Sequence, residues 1–162
     1  MDAIKLLKKQ HREVERLFKQ FDATEEDAKK QTLFNQIADA LAVHATIEER
    51  WFYPAVRARQ TEEQLEEAYD EHLDVKKLLV EAMSHPDAPG FDGKVAAIKG
   101  AVEHHVDEEE DELFAEVRKL MSDEALEALG QQMEAEATQL FAAGEPRRNI
   151  RVESEAPAIE PA

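Results

Sequence analysis

Cysteine is absent from the 162 residues. That excludes disulfides, thiolate nucleophiles and iron–sulfur ligation, and it is what a protein of the reducing cytoplasm is expected to show. Glycine is scarce, with five in the chain, so tight turns are few. No apolar run approaches the roughly 18 residues that a membrane-spanning helix needs. The start, Met1-Asp2-Ala3-Ile4-Lys5, has no apolar stretch of a secretion signal. Positive charge is also short: 20 lysines and arginines stand against 37 acids, for a formal charge of −17. A nucleic-acid binder displaces counterions with a basic surface, which this composition does not supply. The same charge repels anionic lipid and favours cations. Neither nucleic acid nor membrane is therefore an expected partner.

What is present reads as helix. Ala, Glu, Leu and Lys are abundant, and all favour helix. The length suits one domain with a real core. A first helix is expected over about residues 3–22, with Ile4, Leu7, His11, Val14, Phe18 and Phe21 at a/d heptad spacing. Thr24 followed by two glutamates marks the start of a second, expected over 25–58. Its inner face reads Leu33, Ile37, Leu41, His44, Glu48, Trp51 and Ala55, with Pro54 kinking or shortening its end. Thr61 with Gln64 reads as a capping box opening a third helix that runs to about residue 84. That helix places Leu65, Ala68, His72, Val75, Leu79 and Ala82 inward. After a Pro- and Gly-containing loop, a fourth helix over 91–120 places Ile98, Val102, His105, Glu109, Leu113, Val117 and Leu120 inward. Ser122 caps a fifth over 123–142. Residues 144–162, poor in large apolar side chains and containing three prolines, read as a flexible tail. The domain is thus expected over 1–143.

Four of the six histidines, His11, His44, His72 and His105, fall on the apolar stripe of four different helices. An inward stripe takes roughly three positions in seven, so chance places four there about 3% of the time. Glu48 and Glu109 share the stripe, each four residues after a histidine. Residues four apart lie on the same helix face. A lone inward histidine is ordinarily a satisfied core residue. Six inward polar groups are different, because unpaired burial of that many would exceed a domain's whole stability. A cation compensates them. Imidazole with carboxylate and no thiolate suits iron, manganese, zinc, nickel or copper rather than calcium. Six ligands are too many for one catalytic zinc, which takes about three. Two metals share the set better, each taking two histidines, with Glu48 and Glu109 bridging and positions left open for a small molecule. His104 and Glu108 lie about 100° off this stripe and are expected outside it. Glu49, Glu108 and Glu110 could orient the histidines as acceptors but are read first as solvated, and Tyr53 and Tyr69 could donate to a bound oxygen species or relay an electron but are read first as packing at the bundle edge.

These residues carry a resemblance. His11, His44-x-x-x-Glu48-Glu49-x-x-Phe52-Tyr53-Pro54, Glu71-His72 and His105-Val106-x-x-Glu109-Glu110-x-x-Leu113-Phe114 together resemble the hemerythrin-like (HHE cation-binding) domain over about residues 1–120. The resemblance implies an all-α fold: an up-down four-helix bundle over about 3–120, with the fifth helix and tail as additions. It implies two iron ions, oxo- or hydroxo-bridged. His11 and His44 would hold one, His72 and His105 the other, and Glu48 and Glu109 would bridge. Two departures separate the chain from oxygen-carrying members. Lys76 stands where they have a further histidine, and Glu109 lies four residues after its histidine where they have an aspartate at five. The implied function is a cytoplasmic di-iron protein binding dioxygen or nitric oxide for sensing, buffering or iron and redox homeostasis. Peroxide removal and iron storage are the alternatives.

Overall fold

The computed structural model describes residues 1–155. Helix α1 (Ala3–Ala23) begins where the Asp2 carboxylate accepts the Lys5 amide at 2.8 Å, satisfying one of the donors that a helix start leaves without a partner. Its predicted stripe from Ile4 to Phe21 is buried throughout. Helix α2 (Asp27–Ile47) starts slightly later than expected, because the Thr24 hydroxyl accepts the Glu26 amide at 3.3 Å and holds the connecting turn instead. Its N-cap position falls to Glu26.

The second rod does not end at Ile47. It passes through a π turn, π1 (Glu48–Phe52), into a short helix, α3 (Tyr53–Val56). The Tyr53 amide donates to the Glu48 carbonyl, five residues back. Pro54 has no amide hydrogen and its ring crowds the preceding turn, so a wider turn just before it relieves the conflict. The same turn recurs without a proline. Helix α5 (Phe91–Glu108) passes through π2 (Glu109–Leu113) into α6 (Phe114–Leu120), with the Phe114 amide on the Glu109 carbonyl. Common to both is the glutamate of the His-x-x-x-Glu step at the head of the turn.

Each π turn inserts a residue, and the inner stripe slips with it. Trp51 is half-buried and Ala55 exposed, while Phe52, Tyr53 and Val56 are buried in their stead. At the end of π2 and beyond it, Leu113, Phe114 and Val117 are buried, whereas Leu120 is 38% exposed. A constant 3.6-residue period cannot anticipate that slip.

Helix α4 (Glu62–Ser84) supplies the third rod. Thr61 does not cap it with its side chain. Its hydroxyl accepts the Ala58 amide and donates to the Val56 carbonyl, both at 2.9 Å, and so ties down the turn. Short connections make the rods alternate in direction, with α1 packed on α2 and α4 on α5. Helix α7 (Asp123–Ala142), capped by Ser122 on the Ala125 amide, lies against α1 and α2. The approach is so close that a Cβ at Gly130 would stand 2.2 Å from the Met1 carbonyl oxygen.

The expected flexible tail is corrected over residues 144–155. A 3-10 turn (Pro146–Asn149) and helix α8 (Ile150–Glu155) fold back onto α2 and α4. The Arg147 amide and guanidinium donate to the two carboxylate oxygens of Asp39 at 3.0 and 2.9 Å, and Ile150 is buried. One isoleucine and one bidentate contact suffice where the bundle offers a hole, which composition alone does not reveal. The expectation for residues 156–162 lies outside the described residues. Apolar side chains form two clusters, one around Ile4, Phe52, Tyr53, Phe114 and Met133, the other around Phe18, Phe34, Ile37, Leu79 and Ile98. A layer of buried polar residues lies between them.

Candidate metal centre

That layer holds all six expected side chains. His11, His44, Glu48, His72, His105 and Glu109 are each buried to at least nine-tenths. The imidazoles lie in two pairs. Ring centroids of His11 and His44 are 4.8 Å apart, and those of His72 and His105 are 4.7 Å apart. Every inner nitrogen is Nε2. Glu48 Oε1 lies 3.0 Å from His44 Nε2 and 3.2 Å from His72 Nε2. Glu109 offers Oε1 to His11 Nε2 at 3.3 Å and Oε2 to His105 Nε2 at 3.5 Å. Each carboxylate therefore reaches one histidine of either pair. His104 stays outside, 66% exposed in its side chain, beside Glu108 at 2.9 Å and Glu71 at 3.4 Å.

The outer nitrogens explain the orientation. His11 Nδ1 donates to Glu110 at 2.7 Å, His44 Nδ1 to Gln10 at 2.6 Å, His72 Nδ1 to Glu49 at 3.0 Å and His105 Nδ1 to Glu71 at 2.7 Å. Carboxylate and amide oxygens only accept, so each Nδ1 carries a proton and each Nε2 faces inward, where its lone pair serves a metal once any proton on it has left. Such partners fix the ring and make it a stronger donor to a metal. Glu49 and Glu110 are not solvated, the first reading of the sequence, but orient histidines, its alternative, since each follows its inward glutamate and crosses to a neighbouring helix. Glu108 faces outward as expected. A cation backs each of the two. The Arg12 guanidinium grips Glu110, and Lys76, buried, donates to Glu49 at 2.9 and 3.2 Å. Lys76 thus neither extends to solvent nor aims at the centre.

Electrostatics follow from crowding. Burial raises the Glu48 carboxyl, but the imidazoles of His44, His105 and His72 packed around it outweigh burial and hold it well below the usual range. Burial and the Glu48 charge raise Glu109, yet His105 and His11 bring it below as well. For His105, burial lowers the imidazole, while Glu109, Glu48 and Glu71 push it well above its ordinary value. His72 and His11 are raised in the same sense, against burial, by Glu48 with Glu49 and by Glu109 respectively.

Tyr53 is the residue that spacing misplaced. It does not sit at the bundle edge. It is fully buried, and its hydroxyl donates to Glu109 Oε2 at 2.7 Å, within 3.1 Å of His72 Nε2 and 3.4 Å of His105 Nε2. Burial, with the charges of Glu109 and Glu48, pushes its pKa well above 10, so the hydroxyl stays protonated. The π turn is what brings it inward. A pair of bulky apolar residues beginning four positions after an inward glutamate was the available signal.

Five atoms in this layer are buried without a hydrogen-bond partner: Nε2 of His11 and of His44, both oxygens of Glu48, and Oε1 of Glu109. Such atoms are costly to bury, and they converge. His11, His44, Glu48 and Glu109 each offer one atom within 4.8 Å of the others, and Glu48, His72 and His105 form a second such group. Imidazole and carboxylate donors of this kind fit a first-row transition metal. A cavity of about 40 Å³ touches all four imidazoles and is otherwise lined largely by apolar groups, among them Val14, Leu41, Val75 and Val102, with Gln10 and Lys76 as its further polar residues. A wider groove of about 270 Å³ runs between α1 and α5, reaches His11 and carries Glu15, Lys19, Lys99, Glu103 and Asp107.

Known proteins resemble this chain in sequence and in fold. The profile of the hemerythrin HHE cation binding domain matches residues 2–117. A DNA nickase from Nostoc sp. is 36% identical over 124 residues, which is 75% of this chain, and the chain spans about a third (35%) of that protein's length. An uncharacterised protein of Mycobacterium tuberculosis is 28% identical over 163 residues, covering 99% of each. The crystal structure of its homologue from Mycobacterium kansasii, a hemerythrin HHE cation binding domain-containing protein, matches with a TM-score of 0.77 at 26% identity, over 95% of this chain and 94% of that one. No helix among the described residues is long and apolar enough to cross a membrane. With the profile covering most of its length and a metal-ligand cluster in its core, the chain belongs to the hemerythrin HHE cation-binding domain family, as a metal-binding bundle of helices.

Proposed function

We propose that the centre holds two iron ions and takes up dioxygen or nitric oxide, for sensing, buffering or iron and redox homeostasis. His11 with His44 would hold one ion, His72 with His105 the other, and Glu48 and Glu109 would be shared. The observation that carries this is the convergence of four inward Nε2 atoms and two carboxylates, of which Nε2 of His11 and His44, both oxygens of Glu48 and Oε1 of Glu109 have no other partner. Iron, once bound, supplies a change of oxidation state. The protein's part is positional. Gln10, Glu49, Glu71 and Glu110 hold the four imidazoles by their outer nitrogens, and the apolar cavity admits a molecule of only a few atoms while disfavouring ions.

A second reading is peroxide removal by the same centre. It is favoured by the Tyr53 hydroxyl, a protonated donor fixed between Glu109 and the His72–His105 pair. The acidic charge of the chain supports no role in the DNA chemistry named for the Nostoc protein.

Anaerobic ferrous loading is expected to give about two irons per chain. Absorbance is then followed with oxygen, nitric oxide and hydrogen peroxide added in turn. A reversible oxygen or nitric-oxide adduct supports the first reading, and sustained gas evolution from peroxide supports the second. A protein that takes up one zinc and no iron would overturn both.

A further inference from the structure

The apolar cavity is not closed by the bundle rods alone. Its lining comes from α1, α2, α4 and α5 with one exception, Ile150, which α8 lays over it. We infer that Ile150 is a specificity-determining residue, closing the cavity so that uncharged diatomic ligands reach the imidazoles while anions do not, and that detachment of residues 144–155 governs access. This rests on the reading of the centre as one that takes up dioxygen or nitric oxide.

The segment is held lightly. Among its residues only Pro146 and Ile150 are buried, and Val152 is 70% exposed. Its polar anchors are Arg147 on Asp39, Arg151 on the Ser84 hydroxyl at 2.8 Å, and Glu153 at 3.7 Å from Lys76. Segments with few buried contacts open locally at much lower free energy than the core around them. The bundle rods lack that freedom, because their apolar faces run through the two core clusters, to which this segment adds Ile150 alone. Access from the other side, through the groove between α1 and α5, must pass Val14, Val102 and Val106, which wall both spaces. That groove is rimmed with charge, whereas the Ile150 side presents a single aliphatic side chain. An anion entering this small, largely apolar space would lose its hydration, and the one lysine in its lining, Lys76, is already engaged by Glu49. With the cover raised, water enters and the penalty falls.

The test compares wild type with Ile150→Ala, Ile150→Trp, Arg147→Ala and, as a control, the exposed Val152→Ala, all in the full chain. In the first arm, metal-free protein is titrated with xenon and the methyl shifts of Val75, Leu79 and Val102 are followed. Saturable shifts in wild type that are lost in Ile150→Trp are expected. In the second arm, the iron-loaded protein is mixed with nitric oxide in the ferrous form and with azide in the ferric form. Truncating a buried isoleucine that anchors a segment shifts its opening by more than about tenfold, so nitric oxide should bind faster in Ile150→Ala by about that factor. Azide should gain more than nitric oxide, raising the ratio of the two rates. Arg147→Ala should move both the same way by less, Ile150→Trp should slow nitric oxide, and Val152→Ala should change nothing. Xenon shifts indifferent to Ile150→Trp, or rates and their ratio indifferent to both Ile150 variants at full iron content, would overturn the inference. A wild type that takes up no iron or forms no nitric-oxide adduct would instead overturn the reading of the centre, and the xenon arm would still decide on Ile150.

Discussion

The two halves of the centre are copies that stop matching where a ligand would arrive. His11 recurs as His72, His44 as His105, Glu48 as Glu109 and Glu49 as Glu110, each 61 positions on. The supports recur as well. The residue before the first histidine accepts from the second, Gln10 from His44 and Glu71 from His105, and the residue after each inward glutamate accepts from a histidine of a neighbouring rod. Even the ring above the histidine recurs, with Phe114 stacked on His11 at 6.1 Å and Tyr53 tilted over His72 at 5.4 Å. The differences are chemical. His44 leans on a neutral amide and His105 on a carboxylate. The first half has the bare Phe114 ring, whereas the second has the Tyr53 hydroxyl. Arg12, half-exposed, backs Glu110, while Lys76, buried beside the cavity, backs Glu49. What positions metal donors is symmetric, and what would meet a bound molecule is not. The two metal positions should therefore differ in reactivity while depending on each other for occupancy.

The most severe way to break the comparison is to remove a shared carboxylate. Glu48→Ala and Glu109→Ala should each empty both halves, leaving well under one iron per chain by elemental analysis. Uncompensated buried imidazoles should also destabilise the fold by about 3–5 kcal/mol in denaturant titrations. Loss of a single iron with the other retained would show that the halves are independent.

Next in size are the supports. Glu49→Gln and Glu110→Gln should each weaken iron binding by about 10–100-fold in chelator competition. Equal effects would show that the buried Lys76 and the half-exposed Arg12 are equivalent backing. We expect Glu49→Gln to cost more, because it also leaves Lys76 buried without its nearest partner.

pH comes third, and its sign differs between metal-free and loaded protein. His11, His72 and His105 are raised above the ordinary 6.5, so the stability they contribute is complete below pH 6.5 and is lost as pH rises through their folded values. Glu48, Glu49 and Glu109 are lowered below 4.5, so their contribution is present above pH 4.5 and is lost as pH falls through the lowered values. The metal-free protein should therefore melt highest between about pH 4.5 and 6.5. Metal competes with protons for Nε2, so the gain in melting temperature on adding iron should grow from pH 6 to pH 8. A gain that shrinks over that range would contradict the placement of the imidazoles around the metal.

The mildest change sharpens the comparison most. Tyr53→Phe makes the second half resemble the first. It removes one hydrogen bond to a charged group, worth about 1.5–3 kcal/mol, and should leave iron content unchanged. Peroxide turnover should fall while the nitric-oxide adduct survives. The reciprocal Phe114→Tyr, in the Tyr53→Phe background, asks whether a hydroxyl on the other side restores it.

Much of this was legible in the chain. His11, His44, His72 and His105 lay on stripes of apolar residues, and six polar groups facing one core required a common partner. The choice of His105 and Glu109 over His104 and Glu108 followed from 100° of helix rotation. The errors share one origin. Tyr53 was placed at the edge, Trp51 and Leu120 in the core, and Glu49 and Glu110 in solvent, because each lies within or beyond a π turn and the stripe was extended at constant period. The residues after 143 misled for another reason: a segment with a single large buried residue has the composition of a tail until something offers that residue a hole.

By itself, the sequence determined the helices, their order and the six side chains at the centre, because a helix with one apolar face fixes which residues point inward. Tertiary structure decided the rest. The partners of the outer nitrogens lie on other helices, between 23 and 99 residues away, and no local spacing encodes a contact between rods. The π turns decided that a tyrosine hydroxyl faces one half of the centre and a bare ring the other. The hole between α2 and α4 decided that Ile150 is buried and lines the cavity.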